Sequence, residues 1–422
     1  MFMLYGCIDS SLPPGGEEQM QGFGLQVGIA KDMGRKLSRM SAAVTGMLLL
    51  TYVSLPGAKS ILAAEIPVND PNVAYSPYNW YVNGSTYAQT PNPGAYCKLG
   101  FTGTSLRINF DVSPESAHAI KAAQYPLIRY SVDDGPSTSV QLTPTTTSIT
   151  AGSGLSSGNH SLLIQYVAGY VFLDFWTPVN AVRITGFTVD DGASTVQPTG
   201  WIAVKPKSIL FLGDSITNGD NTTANFVDGV TNAVPTQDAT QCYTEPIAAA
   251  IGAEYGVVAY GGASFDSNAA DGHTPGLTTF FDRLDSQHSR LAAGRFSPVP
   301  SDIFINMGEN SGPGIGDVGK LLKSLRADSS ASTNIWIIIP FSGRQRSQLE
   351  AGTAAYQSSN ASDKHVHILD TGDCPYLSDN GRTSVSVDGQ HPLAQLDALL
   401  GAELTEARQI ALSAPGGKGR NF

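Results

Sequence analysis

Charge is the first thing this sequence is short of. Across 422 residues, Asp, Glu, Lys and Arg make up 14%, against about a quarter in ordinary soluble domains. The basic side is the poorer one: 25 Lys+Arg stand against 36 Asp+Glu, a net charge of −11. That balance argues against nucleic acid or an anionic membrane surface as a partner, since binding to either rests largely on basic groups displacing counterions. Cysteine is also scarce. Four residues are too few for a disulfide scaffold, and none stands in the CxxC spacing of a zinc or redox site. No long apolar run is present either: the stretch Ala42–Val53 is broken by Thr45, Gly46 and Thr51 and falls short of the roughly 20 residues a membrane span needs. What the chain does have is 45 Gly, 25 Pro and 41% hydrophobic residues at a mean hydropathy of −0.06. Such a chain buries real cores, is rich in loops and stays soluble through Ser, Thr, Asn and Gly. Its length allows two domains, at most three.

Arg35, Lys36 and Arg39 precede the short apolar run, and Pro56, Gly57 and the pair Ala63-Ala64 follow it. A basic head, a short apolar body and a small-residue exit describe a secretory signal peptide, so the protein is expected to be secreted or periplasmic. Glu17, Glu18 and Asp32 do not suit a signal head, which makes Met33 a candidate start. After export Cys97, Cys242 and Cys374 remain, an odd number; Cys242 and Cys374 either pair or stay as buried thiols.

Two rhythms divide the rest. From Val68 to about Ala203, short β-rich segments (Tyr96–Phe101, Ser105–Val112, Ile128–Val132, Ser161–Tyr166, Tyr170–Phe175 and Val182–Val189) alternate with turn residues such as Asn92-Pro93-Gly94 and Asp133-Asp134-Gly135. This pattern predicts an antiparallel β-sandwich, jelly-roll-like. The tract Thr143–Thr150 and residues Ala151–Gly158 read as loops or edge segments. After Lys205-Pro206-Lys207 the apolar runs become continuous: Ile209–Leu212, Tyr255–Tyr260, Asp302–Met307, Ile335–Phe341 and Val366–Asp370. Fully buried parallel strands look like this. Helical periodicity fills the gaps at Glu245–Ile251, Thr278–Leu291, Gly316–Arg326, Gln345–Tyr356 and Ala394–Leu412, which predicts a three-layer α/β/α domain. The expected organisation is an extension with signal over 1–65, the sandwich over 66–204, the α/β domain over 205–413 and a tail over 414–422.

Ligands of such sheets bind beyond the carboxyl ends of the strands. Four polar blocks stand there: Gly213-Asp214-Ser215-Ile216-Thr217, Tyr260-Gly261-Gly262, Gly308-Glu309-Asn310, and Asp388-Gly389-Gln390-His391. Together, and in this order, they resemble the blocks of the SGNH/GDSL hydrolases. A β-rich half ahead of a GDSIT block further resembles the two-domain carbohydrate esterases of family 2 type. The resemblance implies Ser215 as nucleophile, His391 as general base and then acid, and Asp388 as the group that orients the imidazole. A backbone carbonyl remains an alternative to Asp388. The implied oxyanion donors are the Ser215 N–H, the Gly262 N–H (preferred to that of Gly261) and the Asn310 side-chain amide. One departure stands out: Ser311 follows Asn310 where the family usually has Asp, which puts the rigidity of that loop in question.

Other motifs read more plainly. Gly154–Gly158 fits GxSxG but lies in a Ser/Gly loop, without the strand and helix a nucleophile elbow needs. His365 and His367 share one face of a strand with no third ligand nearby in sequence, the two Asp-Asp-Gly stretches read as hairpin turns, and Asn83, Asn159, Asn221 and Asn360 open N-x-S/T sequons. Tyr78, Trp80 and Tyr81 stack on sugar rings or pack in the core, and Asn218–Gln241 reads as a flexible wall of the site. The expected function is hydrolysis of short acyl esters, acetyl above all, on a polysaccharide such as xylan or a small ester, by a monomer without metal or cofactor. The alternatives are a lipase-like esterase or acyltransferase with the same residues, or a carbohydrate-binding protein with an inactive hydrolase half.

Overall fold

The computed structural model describes residues 63–223, 233–371, 386 and 388–413. The signal-like segment, Cys374 and its pairing with Cys242, and the tail 414–422 lie outside these residues.

Two antiparallel sheets build the first half. One runs Tyr81–Asn83, Tyr87–Thr90, Val182–Val189, Ser105–Phe110, Ser148–Ser153, with Ala64–Ile66 also paired to Val182–Val189. The other runs Thr195–Val196, Tyr96–Thr102, Asn159–Ala168, Leu127–Val132, Thr138–Gln141, with Val73–Tyr75 on Tyr96–Thr102. Alternation sets which face turns inward: in Ser105–Phe110, Leu106, Ile108 and Phe110 are buried while Arg107 is exposed. They meet Leu99, Phe101, Leu162 and Ile164 of the facing sheet in one apolar core, where Cys97 is also buried. Asp133 and Asp134, at φ 54° and 59°, form the primed turn between Leu127–Val132 and Thr138–Gln141. The second Asp-Asp-Gly is a turn but not a hairpin, for Asp190–Gly192 passes from one sheet to the other.

Tyr170–Phe175 is a loop, not the expected strand. The Asp174 carboxylate accepts from the Trp176 and Thr177 N–H groups and curls the chain there, and Phe175 enters the core of the other half.

That other half is a five-stranded parallel sheet in the order Ala253–Ala259, Lys207–Gly213, Asp302–Asn306, Asn334–Ile338, Val366–Leu369. Both faces are covered, which explains the continuous apolar runs. Helices Ile315–Asp328 and Arg346–Ser359 pack Leu321, Leu322, Leu325 and Leu349 onto Leu210, Ile303, Ile305 and Ile337. Helices Thr244–Ile251 and Ala394–Ser413 pack Ile247, Leu396 and Leu400 onto Phe211, Phe304 and Trp336 of the opposite face.

The helix expected over Thr278–Leu291 is a single turn, Leu277–Phe280. Asp285 accepts from the Gln287 and His288 N–H groups, making a turn. Arg290 is then drawn inward, donating to the Tyr78 carbonyl and to Asn92 Oδ1. Phe280 and Phe281 keep an apolar spacing because they line a core, not because they share a helix.

The halves are sewn together by buried polar groups. Lys98 donates to Glu254 Oε1 at 2.6 Å, and Tyr96 Oη donates to the same carboxylate. The Asn79 amide donates to Val257 O at 2.7 Å and accepts from Val257 N–H at 3.2 Å. It thereby pairs with the outer edge of the parallel sheet as a neighbouring strand would. Tyr78 and Phe175 join the parallel-sheet core outright.

Candidate active site

The site is built where the Lys207–Gly213 strand ends. Gly213 is obligatory there: a Cβ would come 2.0 Å from Thr217 Oγ1. The chain turns at once into the one-turn helix Ser215–Asn218, closed by Gly219 at φ 79°. Asp214 caps this helix, its carboxylate accepting from Ile216 N–H at 3.2 Å. Capping is therefore not the task of the Ser215 hydroxyl, which lies 2.8 Å from His391 Nε2. His391 Nδ1 in turn meets Asp388 Oδ2 at 2.6 Å. Asp388 Oδ1 accepts from the Gln390 and His391 N–H groups, so its place follows from a tight turn just before the last helix. A carboxylate, not a backbone carbonyl, meets the imidazole.

The charges follow from these contacts. Burial works to raise the Asp388 pKa, but the hydrogen bond and charge of His391 and the two backbone donors hold it well below the usual carboxylate range. Burial works to lower that of His391; the Asp388 hydrogen bond and charge, with smaller contributions from Asp220 and Asp214, outweigh it and hold the imidazole above its ordinary value. Asp214 and Asp220 are raised by burial, to about 7 and about 6.

A pocket of about 200 Å³ opens on Ser215 and His391, with Gly262, Asn310, Asp220, Ala270, Gln390, Val171 and Phe172 as its other walls. It is small against the roughly 300–1,000 Å³ usual for ligand sites, so it suits a short acyl group. Gly262 sits at φ 72°, and a Cβ there would come within 2.8 Å of Ala270. Asn310 donates one amide hydrogen to Ala263 O at 2.9 Å, leaving its second hydrogen for the pocket. The loop lacks an Asp after Asn310, and the Ser311 hydroxyl is buried without a hydrogen-bond partner among the described residues. Glu309 supplies the anchor instead: it accepts from Ser342 Oγ and pairs with Arg344 at 3.2 Å, while Arg344 also donates to the Glu309 carbonyl. Larger cavities lie elsewhere, such as one of about 350 Å³ beside Asp370, Glu403 and Glu406, but no base–nucleophile pair lines it among the described residues.

All five sequence-predicted residues thus come together. Val171, Phe172, Asp220, Asn221 and Gln390 were missed. Asn221 Nδ2 donates to Asp388 Oδ2 at 2.9 Å, a contact no linear pattern announces. Asn221 is also 1% exposed, so its sequon is closed to a glycosylating enzyme. Of the expected wall Asn218–Gln241, Asp220 lines the pocket and residues 224–232 lie outside the described ones; Asn218, Asp220, Thr236 and Asp238 are buried, and Asp238 pairs with Arg129 of the sandwich at 2.6 Å. Tyr78 and Trp80 serve packing, with the Trp80 Nε1–H on the Tyr96 carbonyl. Tyr81 stacks on His288 at 3.6 Å. His365 Nδ1–H donates to Asn334 Oδ1, whereas His367 stacks on Trp336, so the two rings go to separate neighbours.

No protein-family profile and no curated protein sequence matches the chain. Solved structures do. A family two carbohydrate esterase from Cellvibrio japonicus superposes with a TM-score of 0.65 at 18% identity, over 83% of this chain and 98% of that one. Another from Clostridium thermocellum, in complex with cellohexaose, gives 0.61 at 17% identity over 79% and 97%. The acetyl xylan esterase of the rumen bacterium Butyrivibrio proteoclasticus gives 0.62 at 15% identity over 82% and 97%. The chain has the fold of the family two carbohydrate esterases. In this esterase fold the sandwich is more than an appendage, since its loop carries Val171 and Phe172 to the wall of the Ser215 pocket.

Proposed function

We propose that the protein is an exported serine carboxyl-ester hydrolase that removes acetyl groups from a polysaccharide such as xylan. The supporting observation is the hydrogen-bonded line from Ser215 through His391 to Asp388, opening on a small pocket beside Gly262 and Asn310. His391 Nε2 takes the Ser215 proton as Oγ attacks the ester carbonyl, and Asp388 stabilises the resulting imidazolium. The developing oxyanion is held by the Ser215 and Gly262 N–H groups and the free amide hydrogen of Asn310. Collapse breaks the ester C–O bond, and the leaving sugar oxygen takes from His391 the proton that came from Ser215 and departs as a hydroxyl. Water then repeats the sequence on the acetyl-serine, and the reaction calls on no metal or cofactor. The pocket volume favours acetyl over long acyl chains.

The test is twofold. A fluorophosphonate should label the wild type and not Ser215→Ala, and acetate release should be greater from acetylated xylan or glucomannan than hydrolysis of long-chain esters. An unlabelled wild type would falsify the serine reading. An acyltransferase reading has support in one further fold match, a salicylyl-acyltransferase from a tetracycline biosynthetic pathway (TM-score 0.53, 13% identity); transfer to an alcohol exceeding hydrolysis would favour it.

A further inference from the structure

The Ser215 pocket contains a carboxylate that acetyl transfer does not use. Asp220 is 2% exposed, yet it forms part of the pocket wall with Ser215, Gly262, Asn310 and His391. Its position is tied to the nucleophile, because its backbone N–H donates to the Ser215 carbonyl at 3.0 Å directly after the Gly219 cap. Oδ1 accepts from Asn218 Nδ2 at 2.8 Å. Oδ2 has no hydrogen-bond donor among the described residues. It lies against Gly261, where a Cβ would come within 2.5 Å of it. Among the described residues no Lys or Arg lines the pocket.

An ionised carboxylate only accepts hydrogen bonds, and Asp220 lines the open pocket, where a donor on a bound substrate can reach it. An acetyl ester offers nothing to satisfy it from the acyl side: both its oxygens are acceptors, and the methyl group is neither donor nor acceptor. Within the substrate, only the alcohol half carries a donor. That half lies beside His391, which must reach the leaving oxygen to protonate it, and His391 is the cation whose charge acts on Asp220.

We infer that Asp220 is a specificity-determining residue that accepts a hydrogen bond from a hydroxyl next to the scissile ester, so that the pocket selects esters of polyols over simple alkyl esters. The inference rests on the esterase reading above and adds to it a requirement on the substrate.

The test uses the full chain and two substrates: a methyl xyloside acetylated next to a free hydroxyl, and its counterpart lacking that hydroxyl. The wild type should prefer the first in kcat/KM by about 10- to 100-fold, the range of a hydrogen bond to a charged group. In Asp220→Ala the preference should fall below about 3-fold. Being a ratio on one preparation, it is independent of the folded fraction. If Asp220→Ala does not fold, the isosteric Asp220→Asn decides, and its preference should drop several-fold as the acceptor loses its charge. No preference in the wild type, or one that survives these substitutions, overturns the inference. Fluorophosphonate labelling and hydrolysis of 4-nitrophenyl acetate by the wild type separate the two readings: with both positive and no preference, only the role of Asp220 falls. With both negative, the esterase reading falls and takes this inference with it.

Discussion

Ser215 is free for chemistry because its neighbour takes the other task open to it. A serine opening a helix commonly caps it, but here Asp214 does so, and the Ser215 hydroxyl turns to His391. Ser215→Ala should therefore remove ester hydrolysis and leave the melting temperature near that of the wild type. His391→Ala should cost a comparable factor, about a thousandfold or more in kcat, since members of one catalytic unit fail together; single-turnover rates on an aryl acetate would measure both. The pH dependence follows from charge. Only the neutral imidazole accepts the Ser215 proton, and the carboxylates around His391 hold its pKa up. It thus stays protonated to higher pH, and the acid limb of kcat/KM should have its midpoint above the unperturbed value of about 6.5. Asp388→Asn removes the main raising influence, so the midpoint should move down while the rate falls. A limb that stays in place in this variant would mean that Asp388 does not set the charge of His391.

Among the structural elements, the edge of the parallel sheet shows how a loop can stand in for a strand. Ala253–Ala259 is the outer strand, and an unpaired edge invites foreign pairing. Asn79 closes it with two hydrogen bonds to Val257. Gly256 is needed beside it, for a Cβ there would come 2.2 Å from the Pro77 carbonyl. Asn79→Ala leaves a buried N–H and C=O unpaired at Val257, each costing about 1–3 kcal/mol. The expected loss is about 2 kcal/mol or more, read from urea unfolding, with fluorophosphonate labelling of Ser215 retained in the folded fraction. A loss within experimental error would show that water replaces the Asn79 amide.

For the molecule as a whole, the two halves form one compact body. Sandwich and α/β residues fall in a single compact body, with Lys98 and Tyr96 on Glu254 and with Tyr78 and Phe175 inside the parallel-sheet core. A chain starting at Lys205 would expose that core, leave Glu254 without its partners and lose Val171 and Phe172 from the pocket. It should therefore fail to show a cooperative thermal transition, whereas the full chain melts as one. A truncated chain that melts sharply and hydrolyses an aryl acetate would show the α/β half to be self-sufficient. Removing Phe172 alone is gentler: Phe172 is half exposed at the pocket mouth, so Phe172→Ala should leave the fold intact and raise KM more for acetylated polymer than for a small aryl ester.

The five parallel strands could be read directly, because a strand buried on both faces has to be apolar throughout, and the runs from Ile209 to Leu369 are. Ser215 and Asn310 stand just past strand ends, which share a rim whatever the helices between them do, while His391, ahead of the last helix, was legible through the resemblance of its block to that of the SGNH/GDSL hydrolases. The Thr278–Leu291 misreading has the opposite cause: Phe280 and Phe281 are apolar because they line a core, and periodicity does not distinguish a helix face from a loop pulled inward by Arg290. Tyr170–Phe175 failed similarly, as its aromatic residues answer to the neighbouring half. Asp220 and Asn221 stand close to Ser215 in sequence, but neighbours along a chain need not face the same cavity. Which carboxylate faces the pocket, and which sandwich loop reaches it, depend on contacts between residues far apart in the chain; those contacts exist only once both halves have packed.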